Sequence, residues 1–521
     1  MSAEESRPGT NRAASQQHND HDDDTPESEG RGPTAGQIMR GLLDDHFTLT
    51  RSTDGRMFGV PVVEPGRAVQ HDPRSSPLIR SVSRMFLDTE GKWPSTTGVA
   101  ECSAYALAMF DDAPVRPVPL RAHWDRPGGV FYLDTCDERD TVLRVDATGL
   151  RAVDAPVAFR RAAVPAPMPW TTDPGTALDL APLWELVPVA VDDRPLVLAL
   201  MLTAWMTDTP QPVVTLTGPQ DSGKTSTGRY LLSYVDPTTG ARGRSLPADE
   251  REWKAAVAHS RAVLVDNLSG LDAESSDMLC RVATGGEAAS RQLYTDDASH
   301  VSNLHVPVWL TTIDPGALRG DLASRMVKVE LTPLNEGSRL AESELSARQE
   351  AIRPQVMRGL LWLAVQVLAA WPGIDKAGLA HRMGDFAIAV RCVDQVLGTT
   401  GEKRLAVDAQ DLAADVVDAS PLALAVVELL TPDPVHGGVK MPPRRVTAGE
   451  LLELLDKARA DADPWRTGRG TEKGWPRTPK ILSAALTRIE PALRQAHGIA
   501  VERTKSNGTK YVRLHLEAAA A

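Results

Sequence analysis

Gly218-Pro219-Gln220-Asp221-Ser222-Gly223-Lys224-Thr225 has the residue spacing of a phosphate-binding loop, and it follows Val213 to Thr217, a β-branched apolar run that reads as a buried strand. Backbone N–H groups of such a loop converge on one concavity. Its glycines permit the close turns, and the helix that follows turns its positive end toward the phosphates. Lys224 is then expected to reach the β- and γ-phosphates, the Thr225 hydroxyl to ligate a metal, and Ser226 to complete the ATP-binding set. The expected cofactors are ATP and Mg2+.

Further on, Ala262 to Asp266 is four apolar residues ending in a carboxylate, the pattern of a buried parallel strand that presents Asp266 at the ligand-binding edge of a sheet. Asp266 is expected to hold the metal opposite Thr225. The next residue is Asn267, where many hydrolytic relatives of such loops carry a carboxylate, and an amide cannot accept a proton. Either Asn267 orients a water by hydrogen bonding or the base lies elsewhere, with Asp277 and Glu287 as candidates. A third apolar run, Val306 to Thr312, ends in two hydroxyl residues and makes Thr311 a candidate γ-phosphate sensor. Arg325, placed in an expected helix after a Gly-containing loop, can offer its guanidinium to the phosphate held by a neighbouring subunit. Lys224, Asp266, Asn267 and Arg325 form the candidate catalytic set.

Composition bounds the rest. A chain of 521 residues with 42% apolar content predicts roughly three or four domains with adequate cores. A net charge of −12 argues against wholesale coating of nucleic acid, although it can conceal a basic module. Cys102, Cys136, Cys280 and Cys392 are far apart and form neither a zinc spacing nor a disulfide framework. The acidic, polar N-terminus does not read as a signal segment, and the apolar run Leu196 to Met206 is too short to span a bilayer, so a cytoplasmic protein without membrane contact is expected.

Residues 1–34 read as a disordered acidic tail, residues 35–170 as an α/β or α+β domain of unknown role, 180–332 as the nucleotide domain, and 333–431 as a helical subdomain. A Pro- and Gly-rich linker then leads into a module over 440–521. There Thr447 and Glu450 form a capping box, a second helix is expected after Pro479, and Asn507-Gly508 signals a hairpin, the order of a winged helix-turn-helix. Between Trp465 and His515 eleven Lys or Arg face three Glu, which suits phosphate contacts with DNA. Lys473, Arg477 and Lys480 are expected at the start of the recognition helix, and Arg503, Lys505 and Lys510 along the wing.

Five blocks in fixed order carry a resemblance: Cys280 to Gly286, Arg291 to Asp297, Pro307 to Asp314, Asp321 to Arg325, and Arg382 to Phe386. Together with the loop they resemble the ATPase part of phage- and plasmid-encoded primase-helicases, AAA+-type ATPases related to superfamily 3 helicases, over roughly residues 180–400. The resemblance implies an α/β P-loop NTPase core and a homo-oligomeric ring, a hexamer being favoured, that translocates on DNA. It also implies that Arg291 lies near a DNA-contacting hairpin and that Arg325 occupies the arginine-finger position. Thr311 departs from the Asn often found at the sensor position, and no primase signature stands in the first 170 residues, so a separate primase is an expected partner. The expected function is an ATP-dependent DNA motor, a replicative helicase or replication initiator of a mobile element. A nucleotide-switched regulator or defence component with little hydrolysis is the alternative.

Overall fold

In a computed structural model of the chain, the described residues run from 32 to 517, without 74, 163, 172–177, 240–241, 286, 292–298, 314–317, 334–339, 432–443 and 463–474; the side chains of 286–303 and 460–474 also lie outside the description. The architecture is mixed α/β. Helix α1 (Ala35–His46) starts at a capping box in which Thr34 and Gln37 satisfy each other's backbone N–H groups. It packs on α2 (Pro77–Glu90) and α3 (Thr96–Asp111), beside the antiparallel sheet β1 (Phe47–Arg51), β2 (Met57–Pro61), β3 (Val69–His71). Met39, Leu43, Leu78, Phe86 and Phe110 form a core of their own there.

A second antiparallel sheet, β4 (Ala122–Asp125), β5 (Val130–Asp134), β6 (Val142–Asp146) and β7 (Gly149–Val153), belongs to a different core. Its Trp124, Phe131, Leu133, Leu143 and Val145 join the apolar cluster of the central region, and the Phe131 ring meets Trp205 edge-on at 6.2 Å. Within 35–170 the apolar core divides in two, because one face of the second sheet alternates large apolar residues and the helix Glu342–Ala370 packs on its β6 and β7.

Two short helices, α4 (Ala181–Leu186) and α5 (Arg194–Thr203), which is buried from Pro195 onward, lead into a parallel sheet of four strands in the order β13-β8-β12-β9. These are β8 (Val213–Thr217), β9 (Val263–Leu268), β12 (Val308–Thr312) and β13 (Met326–Glu330), almost continuously apolar as a sheet buried on both faces must be. Helices α6 (Lys224–Val235), α7 (Glu250–His259), α8 (Ala273–Thr284) and the short α9 (Gly320–Ala323) connect them, and β10 (Glu287–Arg291) pairs with β11 (Ser299–Asn303) as an antiparallel excursion. Gly228 lets α6 approach closely, since a Cβ there would stand 2.9 Å from Leu264.

Helices α10 (Glu342–Ala370), α11 (Gly384–Leu397), α12 (Gly401–Asp418) and α13 (Pro421–Leu430) follow. The segment Glu342–Gly373 is long and apolar enough to cross a membrane by length and composition, yet Val356 to Leu368 here pack against α4, α11 and the second sheet. The C-terminal module comprises β14 (Val446–Thr447), α14 (Ala448–Ala462), α15 (Pro479–His497), β15 (Ile499–Ser506) and β16 (Thr509–Leu516), with sheet order β14-β16-β15. Its hairpin turns on Asn507 and Gly508, whose φ values of 48° and 81° are those of a two-residue type I′ turn. Helix α15 docks on α12 and α9, so closely that a Cβ on Gly320 would stand 3.3 Å from the Arg488 carbonyl.

Candidate functional site

The Gly218–Thr225 loop joins β8, an inner strand, to the first turn of α6. Gly218, Asp221 and Gly223 take φ of 155°, 62° and 73°, and Gly218 is sterically required: a Cβ there would lie 2.8 Å from the Ser222 Oγ and 3.0 Å from the Leu331 carbonyl. Asp221 tolerates the left-handed region as short polar residues do. Ser222 is buried, and its Oγ has no hydrogen-bond partner. The Lys224 ammonium folds over the loop and donates to the carbonyls of Gly218 at 3.0 Å and Pro219 at 2.7 Å. Pro219, Gln220 and Asp221 form the solvent-facing rim, and Ser226 follows Thr225 in the first turn of α6.

Strand β12 lies between β8 and β9, which places Thr311 at the strand ends between Thr225 and Asp266. The pairing of β12 with β9 slips there: Leu310 faces Val265 and Thr312 faces Leu268, so Asp266 and Asn267 together oppose Thr311 alone. This is a β-bulge, which re-aims side chains at a strand end. Asn267 carries φ of 56°, and its backbone N–H donates to the Thr311 Oγ at 2.9 Å. The Thr311 and Thr225 hydroxyls then each donate to the Asp266 Oδ1 at 2.6 Å. Asp266 is further fixed by its own N–H to the Arg244 carbonyl at 2.8 Å, and Arg229 stands 3.8 Å from its carboxylate. Burial raises its pKa, but the two hydroxyls, Arg229 and the Asn267 N–H outweigh that and hold the carboxyl below its ordinary value.

A carboxylate kept ionised 2.6 Å from a threonine hydroxyl is a pair of hard oxygen donors of the kind Mg2+ takes with several waters and phosphate oxygens. Among the described residues there is no cluster of three or more His, Cys, Asp or Glu that could hold a metal.

The remaining candidates scatter. Asn267 is exposed at the bulge, and its left-handed backbone is a local reason for Asn at this position. Asp277 pairs with Arg319 at 2.7 Å, and the Glu287 side chain lies outside the described residues. Arg325 does not sit in α9 but one residue beyond its C-cap; it is 8% exposed and donates to the Asp321 carbonyl at 2.6 Å and to the Asp321 carboxylate. Arg319 and Arg382, which approaches Asp321 at 3.2 Å, are the more exposed guanidiniums around it.

Arg291 ends β10 opposite Ser299, and Lys473 lies outside the described residues. Arg477 and Lys480 are exposed on either side of the α15 N-cap Thr478. Lys505 and Lys510 face each other across the exposed hairpin. Arg503 lies on β15, the first strand of the hairpin, and its side chain folds back on α15, bonding Glu490 at 2.6 Å and Thr487 at 3.2 Å. The apolar Ile481 is 50% exposed beside Lys480. Arg229 and Arg244 were missed by sequence reasoning; only the i+4 spacing of Arg229 from Thr225 offered a signal.

Residues 183–415 match the family model described as "Actinomycete integrative conjugative element replication protein". Residues 422–521 match the AICE RepA C-terminal domain. These matches support a replication-related function. No curated protein matches the chain. Among solved structures, the apo NrS-1 C-terminal region aligns at a TM-score of 0.37 and 9% identity, covering 94% of this chain and 100% of that one. A JCV helicase structure aligns at a TM-score of 0.20 and 14% identity, covering 43% and 66%.

Proposed function

We propose that the chain is an ATP-driven DNA motor, a replicative helicase or replication-initiator ATPase of a mobile element, working as a ring of identical subunits. The observation that carries this reading is the convergence of Lys224, Thr225, Asp266 and Thr311 at one end of the parallel sheet. In this reading the core is a P-loop ATPase, residues 333–431 form its helical subdomain, and the C-terminal module is a winged helix that holds DNA through Lys473, Arg477, Lys480, Lys505 and Lys510.

Lys224 exchanges the Gly218 and Pro219 carbonyls for β- and γ-phosphate oxygens, and the loop N–H groups hold the remaining charge. Thr225 and Asp266 would hold Mg2+, which would supply charge neutralisation to the phosphate oxygens. Thr311 keeps Asp266 aimed and ionised. Arg325 acts in trans once its pair with Asp321 opens at the subunit contact, and Arg291 contacts DNA from the β10–β11 excursion. Turnover stimulated by DNA, and abolished in Lys224→Ala, tests the reading; protein that stays monomeric with ATP and ignores DNA overturns it.

One observation favours a second reading. Asn267, exposed and left-handed beside Asp266, offers no proton acceptor, as suits a nucleotide-switched binding protein with little hydrolysis. Comparing turnover of the natural chain with Asn267→Asp, each with and without DNA, separates motor from switch.

A further inference from the structure

The opposite edge of the parallel sheet, where its strands begin, carries a second cavity of about 170 Å3. Arg261, just ahead of β9, and His305, just ahead of β12, line it from the sheet; residues 52–54, His123 and Arg160 line it from the N-terminal region. Arg261 is buried and Arg160 half-buried, its guanidinium donating to the Ala258 carbonyl, and both pKa values fall to about 10, first through desolvation. Arg56 presses Arg160 further, with Asp54 opposing and Arg261 adding.

Of the nearby carboxylates, Asp208 favours the Arg261 charge most, and the other two have other engagements. Asp54 is bonded by the Ser52 hydroxyl and stands 3.3 Å from Arg56. Asp236 accepts the Arg261 backbone N–H at 2.9 Å and stands 3.5 Å from Arg121 and from Arg242. Asp208 lies at the exposed rim.

Two buried nitrogens of the lining residues have no hydrogen-bond partner: the Arg261 Nε, in a residue only 6% exposed, and the His305 Nε2. Burial, and next the charge of Arg261, draw His305 down to about 4, so its ring is neutral. Its hydrogen bond to the Thr209 backbone favours the charged ring, as a ring N–H donating to a carbonyl does, and this leaves the lone pair on Nε2.

We propose that this cavity binds a protonated phosphate group: Arg160 and Arg261 take the anionic charge while the His305 Nε2 accepts the P–OH hydrogen. The ligand class is hydrogen phosphate or a singly protonated phosphomonoester, since sulfate and phosphodiesters have no such hydrogen at neutral pH. The volume suits one phosphate rather than a whole nucleotide, ligand pockets for larger molecules starting at about 300 Å3. Occupied, it ties Arg160 and residues 52–54 to the starting edge of the sheet, whatever the Gly218–Thr225 loop binds.

The test uses the full chain carrying Lys224→Ala, so that the loop lysine does not contribute. Inorganic phosphate titrated at constant ionic strength is expected to bind one-to-one by calorimetry and to raise Tm, with sulfate at least about tenfold weaker. Adding Arg160→Gln abolishes the binding. Adding His305→Gln keeps phosphate but brings the phosphate-to-sulfate ratio toward unity, because an amide donates as well as accepts; this variant decides the matter if Arg160→Gln does not fold. Absence of phosphate binding, equal affinity for sulfate, or an unchanged ratio in His305→Gln overturns the proposal. Displacement of phosphate by a 5′-phosphorylated oligonucleotide but not by its unphosphorylated twin identifies strand ends as the source; displacement by neither identifies free phosphate.

Discussion

The loop end of the parallel sheet and the C-terminal module are both held by hydrogen bonds between distant segments, but they use them differently. At the sheet, Thr225, Thr311 and the bulged Asp266 converge on one oxygen, so each residue sets the electrostatics of the others. In the module the charged groups act separately: Lys505 and Lys510 stand free of one another's help across a turn, while Arg503 is spent on Glu490. A convergent site fails as a unit when one member is lost, whereas a dispersed basic surface loses affinity in increments.

The largest expected effect is therefore at the sheet. Lys224→Ala should lower ATP turnover by roughly a thousandfold or more, the scale of losing a positioned charge on a transferring phosphate. A steady-state assay with retained near-UV circular dichroism checks it, and residual turnover above about a tenth would break the comparison. Thr311→Val should cost roughly tenfold in kcat, one charge-assisted hydrogen bond. It should also move the acid limb of the pH–rate profile. The Asp266 carboxyl is held below its ordinary value partly by Thr311, so removing the hydroxyl lets the pKa rise and activity fails at higher pH than in the natural chain.

Smaller, additive effects are expected in the module. Lys505→Gln and Lys510→Gln should each weaken DNA binding and reduce the salt slope by about one, whereas Arg503→Gln should change the slope less. Binding titrations over a salt series would reveal the opposite ranking if Arg503 left Glu490 on DNA. Gly508→Ala, at φ of 81°, should cost the hairpin about 1 kcal/mol, read as a lower Tm.

The smallest concerns neither region. Burial pushes Asp408, on α12, up to about 7, with its Oδ1 unpartnered. A raised carboxyl penalises the fold increasingly as pH climbs from its unfolded value through the folded one. Asp408→Asn should accordingly raise Tm more at pH 8 than at pH 5.5.

Legibility followed the same divide. The loop, the Asp266 strand and the Thr311 strand were readable because each is a short apolar run ended by the residue that matters. The bulge was not, since it exists only in the register between β9 and β12, which lie far apart in sequence. Nor was the burial of Arg325, set by Asp321 after α9 stops short of it. In the module the helix, helix, hairpin order was legible from a capping box and an Asn-Gly pair. Which basic residues point outward was not, because Arg503 depends on a partner from α15. The division of residues 35–170 between two cores followed from a helix far downstream, α10, packing on β6 and β7.

The seat of α15 against α9 leaves almost no slack, with the backbone of Arg488 abutting Gly320 one residue from Asp321. In the proposed motor, strain that bound DNA put on the hairpin would pass along α15 toward the Asp321–Arg325 pair. Under that reading, grip on the nucleic acid and contact with the next subunit would be mechanically in series, like two links sharing one pin.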